Sequence, residues 1–188
     1  MESNVLQPQV RVLQYIPRWG IIRTLRDQSV AEHSYYVSLY ATWIAEYMNC
    51  HKDDVHWCTV KGLTHDFEEM ISGDIPTPYK KHLIPKETAS KIRSGPKAMA
   101  LSITGLEPID HVICYQVVAV ADVFEACMFL KDEIHMGNTT VYDLYLDIGE
   151  RLKMMVEAID EDGRLWDELT SHLDNTTRTR VLTEHGLK

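Results

Sequence analysis

The chain has 188 residues, 45% hydrophobic and 25% charged, ordinary values for one globular domain and unlike disordered, collagenous or coiled-coil chains. Lys and Arg total 19 against 28 Asp and Glu, a formal net charge of −9, which excludes the basic footprint of a protein that wraps duplex nucleic acid. An anionic small molecule stays open, because a pocket needs only a few local cations.

In chain order, Ser29-x-x-Glu32 has the form of a capping box and opens a first long helix. Apolar residues recur along it at Val30, Val37, Ala41, Ile44 and Met48, a helical spacing. A second helix is expected from Asp53-Asp54 to about Met70, ending before Gly73. Pro76 and Pro78 stiffen the loop from Gly73 to Tyr79. Shorter helices follow at Lys86 to Arg93 and Pro96 to Thr104. Pro108 reads as the first-turn proline of a long helix reaching about Lys131. Thr139 to Ile159 reads as another, and Gly163 breaks the chain before one or two short terminal helices. No alternating strand-like run is present. The fold class is all-α, a compact single-domain helical bundle spanning 1–188.

The four cysteines, Cys50, Cys58, Cys114 and Cys127, form no C-x-x-C pair and fall in stretches read as helical, so free thiols in a reducing cytoplasm are expected. Met1-Glu2-Ser3-Asn4 lacks the layout of a signal peptide. No segment approaches the roughly 20 consecutive apolar residues of a membrane span, and no membrane partner is expected.

Three separated helices each carry a residue suited to ligate one metal. His33 continues the apolar stripe of the first helix and points inward. His65 lies with Val55, Cys58, Gly62 and Glu69 on one face of the second, with Asp66 beside it. Gly62, one turn earlier, would let another backbone or a ligand approach closely. Asp122 interrupts the apolar run Val117 to Phe124, where a buried carboxylate needs a charged partner, a hydrogen-bond network or a metal. A His₂Asp₂ donor set suits zinc, manganese, cobalt or iron better than magnesium. Each histidine also reads as an ordinary core residue, and periodicity alone names no reaction.

The linear motifs carry a resemblance. Arg18-Trp19, Val30-Ala31-Glu32-His33-Ser34, His65-Asp66-x-x-Glu69, Gly73-Asp74-Ile75-Pro76-Thr77-Pro78-Tyr79-Lys80 and the run from Val118 through Asp122 to Glu133 resemble the bacterial 5′-deoxynucleotidases of the HD-domain phosphohydrolases. The pattern is similar, too, to the small phage dATP triphosphohydrolases, which clear dATP where 2-aminoadenine replaces adenine. The resemblance covers about residues 11–160 and leaves a C-terminal helical tail, about 161–188, unmatched.

It implies metal ligands His33, His65, Asp66 and Asp122 holding zinc, cobalt or manganese. It also implies that Glu69 orients or deprotonates the attacking water. Asp74 would protonate the leaving 5′-oxygen or help Glu69 hold a second divalent ion if the substrate is a triphosphate. Arg18 would clamp phosphate, Trp19 would pack on the deoxyribose, and Lys80 would make a second phosphate contact. The implied substrate is a deoxynucleotide, mono- or triphosphate. The remaining readings are a non-catalytic helical binding module and a signalling HD hydrolase of guanosine polyphosphates or cyclic dinucleotides. The aromatic stripe Tyr36, Tyr40, Trp43 and Tyr47 reads as core or as the interface of a homo-oligomer.

Overall fold

Ser29 starts the first long helix in the way its spacing to Glu32 predicts. In the computed structural model, which describes residues 10–174, the Glu32 N–H donates to the Ser29 hydroxyl at 3.1 Å. The Ser29 N–H donates to the Glu32 carboxylate at 2.8 Å. Helix α1, Val30–Tyr47, then buries Val30, His33, Val37, Ala41 and Ile44 along one face. Ahead of it, a short 3-10 turn at Arg11–Tyr15 leads into a loop closed on itself by an antiparallel bridge between Pro17 and Ser29.

Helix α2, Lys52–Thr64, crosses α1 at Gly62. A Cβ at Gly62 would stand 2.9 Å from the Ser38 Cα and 3.1 Å from the Val37 carbonyl oxygen, so the backbones meet where only glycine fits. The same crossing is tied by the Ser38 hydroxyl, which donates to the Thr59 carbonyl at 2.8 Å.

The helix expected to run on to Met70 stops at Thr64. His65 Nδ1 lies 2.7 Å from the Gly62 carbonyl, the acceptor that the Asp66 N–H would use in a continuing helix, and a side chain that takes a backbone acceptor competes with the helix. The chain turns instead through i→i−3 bonds, Phe67 N–H to Thr64 O at 3.3 Å and Glu69 N–H to Asp66 O at 3.0 Å. A single turn, α3 at Glu69–Ser72, ends at Gly73, which has φ 67°. Gly73 to Pro76 is loop as expected, but Thr77 to Tyr79 enter α4, Thr77–His82. The two short helices expected next are one, α5, Lys86–Thr104.

Helix α6, Val112–His135, starts at Val112 rather than at Pro108 and runs past Lys131. Its start is fixed by His111, whose Nδ1 lies 2.7 Å from Asp54 on α2. The preceding Glu107 carbonyl accepts from the Trp57 indole at 3.0 Å. Helix α6 is long and apolar enough to cross a membrane by length and composition, which counting consecutive apolar residues did not reveal. In the fold it is the central helix, packed against α1, α2 and α7 (Tyr142–Glu157), with Val117, Ala121, Phe124 and Cys127 buried.

A 3-10 turn at Thr139–Val141 precedes α7, and α8, Arg164–Asp174, follows Gly163. Leu165, Leu169 and Leu173 of α8 lie in the main core with Leu152 and Val156 of α7, so the unmatched C-terminal stretch contributes core as far as it is described. The rest of the expected tail, 175–188, lies outside the described residues. The described residues form no strand, and the architecture is all-α. All four cysteines are free; Cys50 sits in the α1–α2 connection rather than in a helix. Within the aromatic stripe, Tyr40 and Trp43 pack on Phe124, whereas Tyr36 and Tyr47 are exposed.

Candidate metal centre and substrate cleft

The break after α2 and two helix faces bring four side chains to one point. His33 Nε2 lies 3.3 Å from His65 Nε2, 3.1 Å from Asp122 Oδ1 and 3.7 Å from Asp66 Oδ2. His65 Nε2 lies 3.1 Å from Asp66 and 3.9 Å from Asp122. His33 is fully buried, as its stripe predicts. Asp122, expected to be buried among apolar neighbours, has a side chain 40% exposed: the apolar run of α6 around it does not seal this position from solvent.

The ring tautomers follow from the other nitrogens. His33 Nδ1 faces Glu125 Oε2 at 2.5 Å and His65 Nδ1 faces the Gly62 carbonyl. Both partners are acceptors, so both Nδ1 atoms carry the proton and both Nε2 atoms turn a lone pair inward. Two imidazole lone pairs and two carboxylates facing one another leave a place for a positive charge. The electrostatics agree: burial alone would lower His65, but the Asp66 carboxylate and then Asp122 outweigh it and raise the imidazole to about 9. Burial likewise opposes the Asp66 charge, yet His65 holds that carboxyl well below the usual range. The nitrogen and oxygen donors, each histidine anchored through its second nitrogen, fit a divalent transition metal.

Glu69, 2% exposed, accepts from the Lys80 ammonium at 2.7 Å. Burial first, then the nearby Asp66 charge, push its carboxyl up to about 7 against the pull of Lys80. The structure therefore places Lys80 on Glu69.

Arg18 and Trp19 sit in the loop before α1. Trp19 has φ 66°; its backbone N–H donates to Asp74 Oδ2 at 3.2 Å, and its ring stacks on Phe129 of α6 at 5.3 Å. The Arg18 guanidinium lies 5.6 Å from the centre of the Trp19 ring, and its buried Nη1 has no hydrogen-bond partner. These residues border a cleft of about 430 Å³ that Asp74, Leu144, Ile148 and Arg151 also line. Leu144, Ile148 and Arg151 share a face of α7, a pattern visible in the sequence; no local signal says that this face borders a cleft. Gln28 and Glu125 were missed as well, although Glu125 lies one turn beyond Asp122 in the same apolar helix, where the buried-carboxylate argument applies equally.

A family model described as 5′-deoxynucleotidase YfbR-like matches residues 7–93. The dATP triphosphohydrolase of Cyanophage S-2L is 26% identical over 164 residues, covering 87% of this chain and 90% of that protein. The dATP triphosphohydrolase of Salmonella phage PMBT28 is 28% identical over 191 residues, with 89% and 90% covered. Among solved structures, the Cyanophage S-2L HD phosphohydrolase bound to dA and one catalytic Zn²⁺ ion superposes with a TM-score of 0.68 at 23% identity, over 92% of this chain and 96% of that one. This chain therefore shares the fold of the HD-domain phosphohydrolases, and in sequence it is similar to the 5′-deoxynucleotidases over residues 7–93 and to phage dATP triphosphohydrolases over nearly nine-tenths of its length.

Proposed function

We propose that the chain hydrolyses phosphoester bonds of 2′-deoxynucleotides with a divalent metal held by His33, His65, Asp66 and Asp122. The observation that carries this reading is the convergence of four lone-pair donors on a site flanked by a cleft where Arg18 keeps a buried, unpaired guanidinium nitrogen. An ion of the zinc, cobalt or manganese type would polarise the phosphoryl group and lower the pKa of water.

The protein's own groups do the rest. Arg18 offers its free donor to a phosphoryl oxygen, for which a planar fork is suited. Trp19, flat on Phe129, packs against the sugar and disfavours a 2′-hydroxyl. Glu69 aligns the attacking water and takes its proton; a carboxyl raised to about 7 is matched to a base working near neutral pH. Asp74, on the loop after Gly73, returns a proton to the leaving 5′-oxygen. Lys80 acts on Glu69 rather than as the second phosphate contact that the resemblance implied, and a second divalent ion near Glu69 and Asp74 would have to displace it.

Release of intact triphosphate from dATP is the second reading. It is favoured by the two phage relatives matched over nine-tenths of their length, both dATP triphosphohydrolases. Incubation of the purified chain with dAMP and with dATP, each with Zn²⁺, Co²⁺ or Mn²⁺, followed by chromatography of the products, tests both. Inorganic phosphate from dAMP supports the nucleotidase reading and triphosphate from dATP the second. No product from either, with metal bound, overturns the assignment.

A further inference from the structure

Three buried polar side chains run in series from the cleft to the metal cluster. The Trp19 indole N–H donates to Gln28 Oε1 at 2.9 Å, the Gln28 amide donates to Glu125 Oε1 at 2.6 Å, and Glu125 Oε2 accepts from His33 Nδ1 at 2.5 Å. Gln28 is 2% exposed, Glu125 3% and His33 0%, so solvent has little access to stand in for a missing member.

The polarity of the series is forced at each step. An indole can only donate, so the Gln28 oxygen must face it and the Gln28 NH₂ must face Glu125. Both Glu125 oxygens are then committed, one to Gln28 and one to His33. With its proton held on Nδ1, His33 presents the Nε2 lone pair to Asp122, Asp66 and His65. A turn of the Gln28 amide would set two donors against each other at the indole and two acceptors at Glu125, and unpaired buried groups are costly. The platform end is equally fixed, by the Asp74 bond to the Trp19 backbone and by the Phe129 stack.

We infer that Gln28 and Glu125 are positioning residues that couple Trp19, in the substrate cleft, to the metal ligand His33. The inference rests on the reading of the cluster as a metal centre. It adds that metal binding is felt at Trp19 and that Trp19 is felt at the metal, because a coupling between two sites is reciprocal.

Zn²⁺ titration of the full chain, followed by calorimetry and by tryptophan emission, tests it, since Zn²⁺ has no d–d absorption of its own to quench emission. The chain has 4 tryptophans, so the Trp19 share is the difference between the parent and Trp19→Phe. Glu125→Gln is expected to weaken Zn²⁺ binding by about 10- to 100-fold, the usual effect of losing a carboxylate behind a ligating histidine. Gln28→Leu is expected to bind Zn²⁺ yet lose the Zn²⁺-dependent change in Trp19 emission.

Trp19→Phe keeps a ring for Phe129 but removes the indole donor, and should shift Zn²⁺ affinity by on the order of threefold, with no further shift when Gln28→Leu is added. That cycle needs no emission signal and serves even if Gln28→Leu alone folds poorly at high temperature. An undiminished Trp19 response in Gln28→Leu, or additive effects in the cycle, overturns the coupling while leaving the metal centre standing. Absence of Zn²⁺ binding to the parent chain overturns the metal centre and the coupling together. A wrong substrate assignment moves neither readout.

Discussion

The Lys80 ammonium and the Glu69 carboxylate meet at 2.7 Å, joining the first turn of α3 to α4 across the Gly73–Pro76 loop. Glu69 is buried and Lys80 is 39% exposed, so the pair brings a solvent-facing cation onto a carboxylate that burial would otherwise protonate. Glu69→Gln should retain metal while kcat falls by about 10² to 10⁴, the usual cost of losing a general acid or base. Lys80→Met should lower kcat more than it raises KM. Steady-state kinetics separate the two roles: a rise in KM alone would return Lys80 to the phosphate.

His65→Ala and Asp122→Ala should each lose metal together with activity, since each removes one of the donors facing the shared point. Elemental analysis after dialysis reads this directly. Full metal content in either variant would remove that residue from the ligand set.

Gly62→Ala places a methyl 2.9 Å from the Ser38 Cα, a backbone atom that cannot swing aside. Overpacking of this kind costs about 1–3 kcal/mol, and Tm should drop by roughly 2–12 °C for a domain of this size. An unchanged melting curve would mean that the two helices slide apart without penalty.

Glu133 accepts from the Leu25 N–H at 2.6 Å, the Arg26 N–H at 3.1 Å and the Asn138 amide at 2.8 Å. Burial opposes its charge, but these donors and the Arg26 guanidinium hold its carboxyl below the ordinary value of 4.5. A carboxyl lowered in the folded state adds stability that is present above the unfolded value and is lost as pH falls through the folded one. Glu133→Gln should therefore cost stability at pH 7, by about 1–3 kcal/mol for leaving buried donors poorly paired, and the deficit should shrink as pH drops below 4. Urea midpoints at pH 7 and pH 3.5 give the comparison; an equal deficit at both would rule out an ionised Glu133 as its source.

What the sequence made legible is what depends on neighbours along the chain. The Ser29–Glu32 box, the inward His33 and the close approach at Gly62 each follow from residues within one or two turns. The end of α2 does not, because the bond that ends it runs from the His65 side chain to a backbone carbonyl and leaves the apolar pattern intact. Likewise, Gln28 and Glu125 are far apart in sequence, and no short motif announces a contact of that range. Pro108 misled for a related reason: its fit to a helix start is local, whereas the start at Val112 is set by contacts with Asp54 and Trp57 on another helix.

Helix α6 serves as an index for everything set against it. At steps of three, four and four residues, one face presents Asp122 to the histidines, Glu125 to Gln28, Phe129 to Trp19 and Glu133 to the backbone of Leu25 and Arg26. One residue inserted just before Asp122 would turn that whole row by about 100° relative to the preceding helix, misaligning all four at once.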